Sequence, residues 1–194
     1  MSTTLPWYIA RASGLVSWGL LAAAMLWGLA LSTKILGTRP RPNWLLDLHR
    51  WLGGVALVFT GVHVIALLAD TYVHFGVASV LVPFASDWHP VAVAWGVVAF
   101  YLLVAVELTS LARRHLPKTV WRRVHFASFL LFVMATIHGL TAGTDTKSAM
   151  ARAIAIVVGS VFVGLTAVRI AESVRTEAPA HPHAPARQRL MTDH

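Results

Sequence analysis

Long apolar stretches separated by short polar segments dominate the chain. Five of these stretches are long enough to cross a bilayer, which takes roughly 20 residues of helix. They cover residues 9–32, 48–70, 90–112, 123–142 and 149–172. Backbone polar groups in lipid must be satisfied within the protein, so the pattern predicts an all-α membrane protein with a bundle of five transmembrane helices.

The polar segments between the blocks predict how the helices are connected. The segment "GTRPRPN" (37–43) carries two prolines, which end helices, and predicts a turn. A longer loop follows at 71–90, and its apolar middle "VASVLVPF" (77–84) predicts a short helix along the membrane surface. We therefore expect one membrane domain over 1–175 and a disordered Pro-, Ala- and His-rich tail over 176–194.

Most of the positive charge lies on one side of the predicted bundle. The net charge is +8, which could suit a nucleic-acid partner, but the cations concentrate at 34–50, 113–123 and 169–189. The remaining connecting segments carry few cations. Positive segments stay cytoplasmic, so the N-terminus is expected outside and the C-terminus and tail in the cytoplasm. Membrane lipid, not nucleic acid, is the expected partner.

The sequence contains no cysteine. This excludes disulfides, thiolate-ligated iron–sulfur clusters and the covalent attachment of c-type haem through a CxxCH motif. Any redox group in this chain has to be held by other ligands.

Two of the predicted helices each carry a pair of histidines. His49 and His63 are fourteen residues apart in the second helix, and His125 and His138 are thirteen apart in the fourth. In both helices an Asp follows the second histidine by seven residues, and arginines flank the first. One predicted helix lies between these two along the chain, so the two cross the membrane in the same direction. Their first histidines are therefore at one depth in the bilayer, and their second histidines are at another. Ionisable residues within a bilayer are costly, which makes these histidines candidates for function.

Two neutral imidazoles that face each other across an apolar slot suit six-coordinate haem b, whose iron takes one ring nitrogen from each side. The expected ligand pairs are His49 with His125 on the inner side and His63 with His138 on the outer side. Fourteen residues of helix separate two such irons by roughly 20 Å, so the pair would carry electrons across most of the membrane. The thirteen-residue spacing implies either a local distortion of the fourth helix or a rotation of one haem relative to the other.

Haem propionates require cations or hydrogen-bond donors near both membrane surfaces. The candidates are Arg50, Arg122 and Arg123 on the inner side, and Arg11, Lys147 and Arg152 on the outer side. The inner three could equally serve only to set the topology. Arg11 lies inside an apolar helix and needs a partner, which favours a haem-binding role for it.

Other polar and aromatic residues lie within the spans. Glu107 is an acid inside a predicted span, and we expect it to pair with Arg113 or Arg114 near the inner surface. Three phenylalanines between the two histidine levels could assist electron transfer or simply pack. They are Phe59, Phe129 and Phe132.

These positions resemble the ferric reductase-like transmembrane domain family, which includes the membrane parts of ferric reductases and NADPH oxidases and the haem-binding membrane subunit of bacterial methionine sulfoxide reductase. The family has two histidines fourteen apart on one helix and two thirteen apart on the next helix but one. The segments "RASGLVSWGLL" (11–21) and "LHRWLGG" (48–54) are also similar to its R-x-S/T-G and H/R-R-x-L-G motifs. The resemblance covers about 7–172. It implies two haem b groups and a multi-pass protein of a bacterial-type plasma (inner) membrane.

The departures from the family bear on the partners. Family oxidases carry a cytoplasmic flavin and NADPH module, but no flavin site or Gly-rich nucleotide motif is visible in this sequence. The resemblance therefore implies a separate electron donor, which could be a flavin reductase, free reduced flavin or a quinol. It also implies an outer acceptor, either a partner reductase or ferric iron. Leu67, four residues after His63, stands where the oxidases resemble one another in having a further histidine, which weakens a superoxide-producing interpretation.

Two other interpretations remain open. A histidine-based metal or proton transporter would place acids beside the histidines at mid-membrane, whereas Glu107 lies near the inner surface. A purely structural subunit of a larger complex would give no reason for histidines at matched depths. The sequence thus favours an electron-transfer subunit of an oxidoreductase system.

Overall fold

The chain is mostly helical in the part that a computed structural model describes, which is residues 5–33, 43–71, 73, 75–144 and 148–177. These residues form six α-helices and a short 3₁₀ turn at Arg113–His115. The helices are α1 (Leu5–Ser32), α2 (Asn43–Ala69), α3 (Val77–Leu81), α4 (Pro90–Leu111), α5 (Lys118–Ala142) and α6 (Ala149–Glu177). All but α3 are long and apolar enough to cross a membrane. The predicted all-α bundle of five transmembrane helices is confirmed.

Several helices extend beyond the apolar blocks that predicted them. Helices α2 and α5 each begin five residues before their blocks, and α6 continues to Glu177. The early turns of α2 and α5 carry exposed charged residues, among them Asp47 and Arg122, which are compatible with a helix but lower its hydropathy. The hydropathy pattern therefore finds the lipid-embedded part of each helix and not its ends. The predicted disordered tail lies, from residue 178 onward, outside the described residues.

The packing divides the bundle into two close helix pairs. Helix α1 packs along α2, and α4 packs along α5, while α1 also contacts α5 and α6. The Ser17 hydroxyl of α1 donates to the Ala56 carbonyl (3.1 Å) and lies 2.6 Å from the Thr60 hydroxyl, both on α2. Trp18 of α1 donates through Nε1 to the Thr136 hydroxyl of α5 at 3.0 Å, which links the two pairs. Helices α2 and α5 scarcely touch, so a slot separates them.

The buried core is small, as expected of helices that face lipid. One cluster joins Met25 and Leu29 of α1 to Phe132 of α5, with Phe129 and Phe162 against it. Phe129 and Phe132 were expected either to assist electron transfer or simply to pack, and this contact favours packing. No residue in the membrane-spanning part of α6 is fully buried, and many of its apolar side chains are exposed, as expected of a helix that faces lipid.

The loop between α2 and α4 contains the predicted short helix. Helix α3 covers Val77–Leu81 of the segment 77–84 and contacts α4, where the Tyr101 hydroxyl donates to the Leu81 carbonyl. Helix α4 then begins at Pro90, a favourable first helical residue because its missing N–H has no partner there in any case.

Candidate functional site

The outer pair, His63 of α2 and His138 of α5, faces across the slot. The two ring centroids are 6.4 Å apart, and the ring planes are inclined by 77°. His63 Nδ1 lies 2.7 Å from the Ala10 carbonyl of α1, and His138 Nδ1 lies 2.8 Å from the Ala92 carbonyl of α4. A carbonyl only accepts hydrogen bonds, so both Nδ1 atoms carry the proton and both Nε2 atoms keep a lone pair for a metal.

The inner pair, His49 of α2 and His125 of α5, has a similar separation but a different support. The centroids are 6.0 Å apart with planes inclined by 76°. His49 Nδ1 donates to the Ala24 carbonyl of α1 at 3.0 Å. His125 Nδ1 is buried and has no hydrogen-bond partner in the described part of the chain, and its ring stacks on Trp121 at 5.1 Å and 22°. Only one ring of this pair is therefore fixed by a backbone carbonyl.

Three glycines on the neighbouring helices make room for the histidine rings. Each lies four residues after the carbonyl that accepts from the ring, and residues four apart share one helix face. The same face thus supplies both the hydrogen bond and the space that the ring needs. An added Cβ would lie 2.9 Å from His63 at Gly14, 3.0 Å from His49 at Gly28 and 2.7 Å from His138 at Gly96.

A largely apolar cavity of about 560 Å³ opens beside the outer pair. Its lining includes His63, His138 and Arg11. Cofactor pockets usually measure about 300–1,000 Å³, so this cavity is of a suitable size. Arg11 is half-buried, with its guanidinium 4.7 Å from the centre of the Trp7 ring. The structure thus brings Arg11 to the same cavity as the outer pair.

The other predicted arginines lie differently. Arg50, Arg122 and Arg123 are exposed, and Arg50 pairs with Asp47 on its own helix at 3.2 Å. Arg152, predicted for the outer side, is exposed in the first turn of α6, and Lys147 lies outside the described residues.

Two further arginines, neither of which was predicted to bind haem, lie beside aromatic rings near the inner pair. Arg169 of α6 is half-buried, with its guanidinium 5.2 Å from the Phe126 ring centre. Arg113 lies over Trp121 at 4.5 Å, on the ring that stacks against His125. A cation–aromatic contact of this kind depends on the relative position of two helices, and no local sequence pattern reveals it.

The ion pair expected for Glu107 is absent from the described residues. Arg113 instead lies over Trp121, and Arg114 donates through Nε to His115 Nε2 at 2.9 Å. The Glu107 carboxylate lies against Gly53 of α2, where a Cβ would collide with it. The expectation was wrong because the side chain crosses to α2 and does not follow its own helix toward the surface.

The donor set fits a macrocyclic iron better than an ion held by protein alone. Within the described ranges, no group of three or more His, Cys, Asp or Glu side chains could hold a metal ion. Each histidine pair offers two ligands, and a porphyrin supplies the other four. Imidazole nitrogens lie about 2 Å from a bound metal and the ring centre about 1 Å beyond, so two trans rings would have centroids about 6 Å apart. The observed 6.0 and 6.4 Å agree with that arrangement.

Comparison with known proteins gives one finding. The model of the family described as "Ferric reductase like transmembrane component" matches residues 12–136. No curated protein and no solved structure matches the chain. The matched range covers well over half of the chain, includes His49, His63 and His125, and ends two residues before His138. Domains of this family generally bind haem, and membership indicates transmembrane electron transfer. The chain belongs to the ferric reductase-like transmembrane family.

Proposed function

We propose that this chain is a di-haem b protein that carries electrons across the membrane. The observation that carries the proposal is the presence of two facing histidine pairs, with centroids 6.0 and 6.4 Å apart, across a slot between helices that scarcely touch. The separations leave room for an iron between the two rings of each pair, which the histidines would bind through Nε2. Family membership independently supports haem-based electron transfer.

Each part of the site has a role in this proposal. His49 and His125 hold the inner haem, and His63 and His138 hold the outer haem. Six-coordinate haems accept and release single electrons and leave no position open for substrate. The carbonyls that bind Nδ1 fix three of the rings with Nε2 toward the slot, and the apolar lining keeps water from the outer level.

The cationic residues hold the propionates. Arg11, at the outer cavity, binds those of the outer haem. On the inner side, Arg50, Arg122 and Arg123 lie exposed at the surface, and their side chains are long enough to turn toward the inner haem once it is bound. An outer role for Arg152 and Lys147 is part of the same proposal.

The distribution of charge supports the direction of transfer. The segments rich in Lys and Arg lie at the ends of the helices nearest the inner pair, which supports a C-terminus in the cytoplasm and an N-terminus outside a bacterial-type plasma membrane. Electrons then enter from a flavin reductase, reduced flavin or quinol and leave to a partner reductase or ferric iron outside. The chain acts as an electron-transfer subunit with a separate donor.

The transporter alternative has less support. A metal pathway would need three or more ligating side chains around one ion, and the described residues contain no such group. We therefore retain haem as the reason for the paired histidines.

Absorption spectroscopy of the detergent-purified protein tests the proposal. We expect a sharp low-spin b-type α band after reduction with dithionite, and pyridine haemochrome analysis should give about two haems per chain. One haem per chain would contradict the two-level assignment. Protein free of haem, purified from cells that make haem and supply it to a control cytochrome b, would contradict the proposal as a whole.

A further inference from the structure

The inner end of the α4–α5 pair contains three buried polar atoms without a hydrogen-bond partner in the described part of the chain. They are His125 Nδ1, Trp121 Nε1 and Ser110 Oγ. The indole nitrogen can only donate, and Nδ1 must donate if Nε2 is a metal ligand. The Ser110 hydroxyl is the one acceptor in this group. Buried donors without an acceptor are costly, so the composition of the group indicates an acceptor role for Ser110.

The register of α4 places Ser110 at the inner histidine level. Helix α1 presents Gly14 to the outer ring and Gly28, fourteen residues later, to the inner ring. Helix α4 presents Gly96 to His138, and the residue fourteen later is Ser110. Fourteen residues bring a helix back to within about 40° of the same face. Ser110 therefore stands where the pattern of α1 has its inner glycine.

The spacing of the histidines on α5 explains why a side chain is needed there. His125 and His138 are thirteen residues apart, so His125 is turned by about 100° relative to the fourteen-residue arrangement of α2. The carbonyl equivalent to that of Ala92 belongs to Val106, and it receives the Thr109 hydroxyl at 3.2 Å. A hydroxyl projects further from the helix axis than a carbonyl and can rotate toward the displaced ring.

We infer that the Ser110 hydroxyl accepts a hydrogen bond from His125 Nδ1 when the inner haem is bound, and that Ser110 is the positioning residue of the inner site. The inference rests on the proposed function. The hydrogen bond makes the imidazole a stronger donor to ferric iron and fixes the plane of its ring. It thereby lowers the midpoint potential of the inner haem and slows the loss of that haem.

The test compares Ser110→Ala and Ser110→Gly with Ser110→Thr, which keeps the hydroxyl. Ser173→Ala is the matched control, because Ser173 lies near the inner end of α6 and its hydroxyl donates to the Ile170 carbonyl of its own helix at 2.7 Å. The readouts on the full chain are the low-spin EPR signals of the two ferric haems, a redox titration, and the rate of haem transfer to apomyoglobin.

We expect Ser110→Ala and Ser110→Gly to change one haem of the two. Its EPR signal should shift, its midpoint potential should rise, and it should be retained about 10–100-fold less tightly. Ser110→Thr and Ser173→Ala should behave like the wild type. The glycine variant keeps the test valid if alanine disturbs folding, because glycine occupies the equivalent position in α1.

Two results would overturn the inference. The first is identical EPR signals, potentials and haem transfer in Ser110→Ala and Ser173→Ala. The second is altered tryptophan fluorescence in Ser110→Ala with both haems unchanged, which would assign the hydroxyl to Trp121. A wild-type protein without haem would instead contradict the proposed function, so the two failures are distinguishable.

Discussion

The outer and inner histidine pairs have nearly the same ring separation, 6.4 and 6.0 Å, but they are held in different ways. At the outer level, the Nδ1 atoms of His63 and His138 both lie at hydrogen-bond distance from a helix carbonyl, and each ring lies against a glycine. At the inner level, His49 has these two supports, whereas His125 stacks on Trp121 and its Nδ1 finds no hydrogen-bond partner among the described residues. The outer site is thus built from backbone, and half of the inner site is built from side chains.

This difference has a consequence for robustness. A backbone carbonyl cannot be removed by substitution, whereas a hydroxyl or an indole can. We expect the outer haem to tolerate most substitutions except those that fill the space of its glycines. The inner haem should respond to changes of the side chains that surround His125.

The largest expected effect comes from removing ligands, which tests whether the pairs are assigned correctly. His63→Ala should lower the haem content from about two per chain to one, because a lost axial ligand releases that haem. The same-pair double variant His63→Ala/His138→Ala should also keep one haem. The cross-pair double variant His63→Ala/His125→Ala should keep none, as measured by pyridine haemochrome analysis. One haem in the cross-pair variant would show that the pairing is wrong.

A graded effect is expected from the three glycines. Gly96→Ala and Gly14→Ala place a methyl group 2.7 and 2.9 Å from a hydrogen-bonded ring, and Gly28→Ala places one at 3.0 Å. We expect the haem at the affected level to be retained about 10–100-fold less tightly for the first two variants and less affected for the third. The rate of haem transfer to apomyoglobin measures haem retention and ranks the three variants.

Gly19→Ala is the control for the glycine series, because a Cβ there meets nothing within 4 Å. Alanine is favoured over glycine in a helix by up to about 1 kcal/mol, so this variant should be as stable as the wild type or slightly more stable. Equal haem retention in Gly96→Ala and Gly19→Ala would contradict the role of Gly96 as space for His138.

The smallest effect is expected from the arginines, and it again separates the two levels. Arg11→Gln removes a half-buried cation at the outer cavity, and the loss of positive charge should lower the outer haem potential. A shift of about 60 mV corresponds to a tenfold change in a one-electron equilibrium. Arg50→Gln removes an exposed cation paired with Asp47, and its effect should be much smaller because solvent screens such pairs. A redox titration compares the two, and equal shifts would argue against a special role for Arg11.

The helices and the facing histidines could be predicted from the sequence because both depend only on distances along the chain. A bilayer imposes a length on each apolar block, and parallel helices align residues at equal distances from one surface. The positions of His49 and His63 on α2, and of His125 and His138 on α5, therefore determined which rings would meet. The extent of each helix beyond its apolar block was less predictable, because charged residues extend a helix without adding hydropathy.

The supporting residues could not be predicted in this way. Gly14 and Gly28 repeat at the same fourteen-residue interval as the histidines of α2, which is a signal in the sequence, but its meaning depends on knowing that α1 packs against α2. The direction of long side chains is harder still. Arg50 turns to Asp47 on its own helix, and Arg169 lies over rings of a different helix, although both follow from the same rule for cations at a membrane surface.

The hydrogen bonds from three of the rings to helix carbonyls also bear on the speed of electron transfer. A gain or loss of an electron is fast when the surrounding atoms barely move, and a ring tied to a helix backbone within a bilayer has little freedom to move. If haems bind as proposed, the carbonyls of Ala10, Ala24 and Ala92 would thus lower the reorganisation energy of electron transfer at the rings that they hold. In the proposed di-haem arrangement, His125 is the ring without such a carbonyl among the described residues. The inner step would then be the slower one, and the proposal puts the kinetic control of transfer on the side of the electron donor.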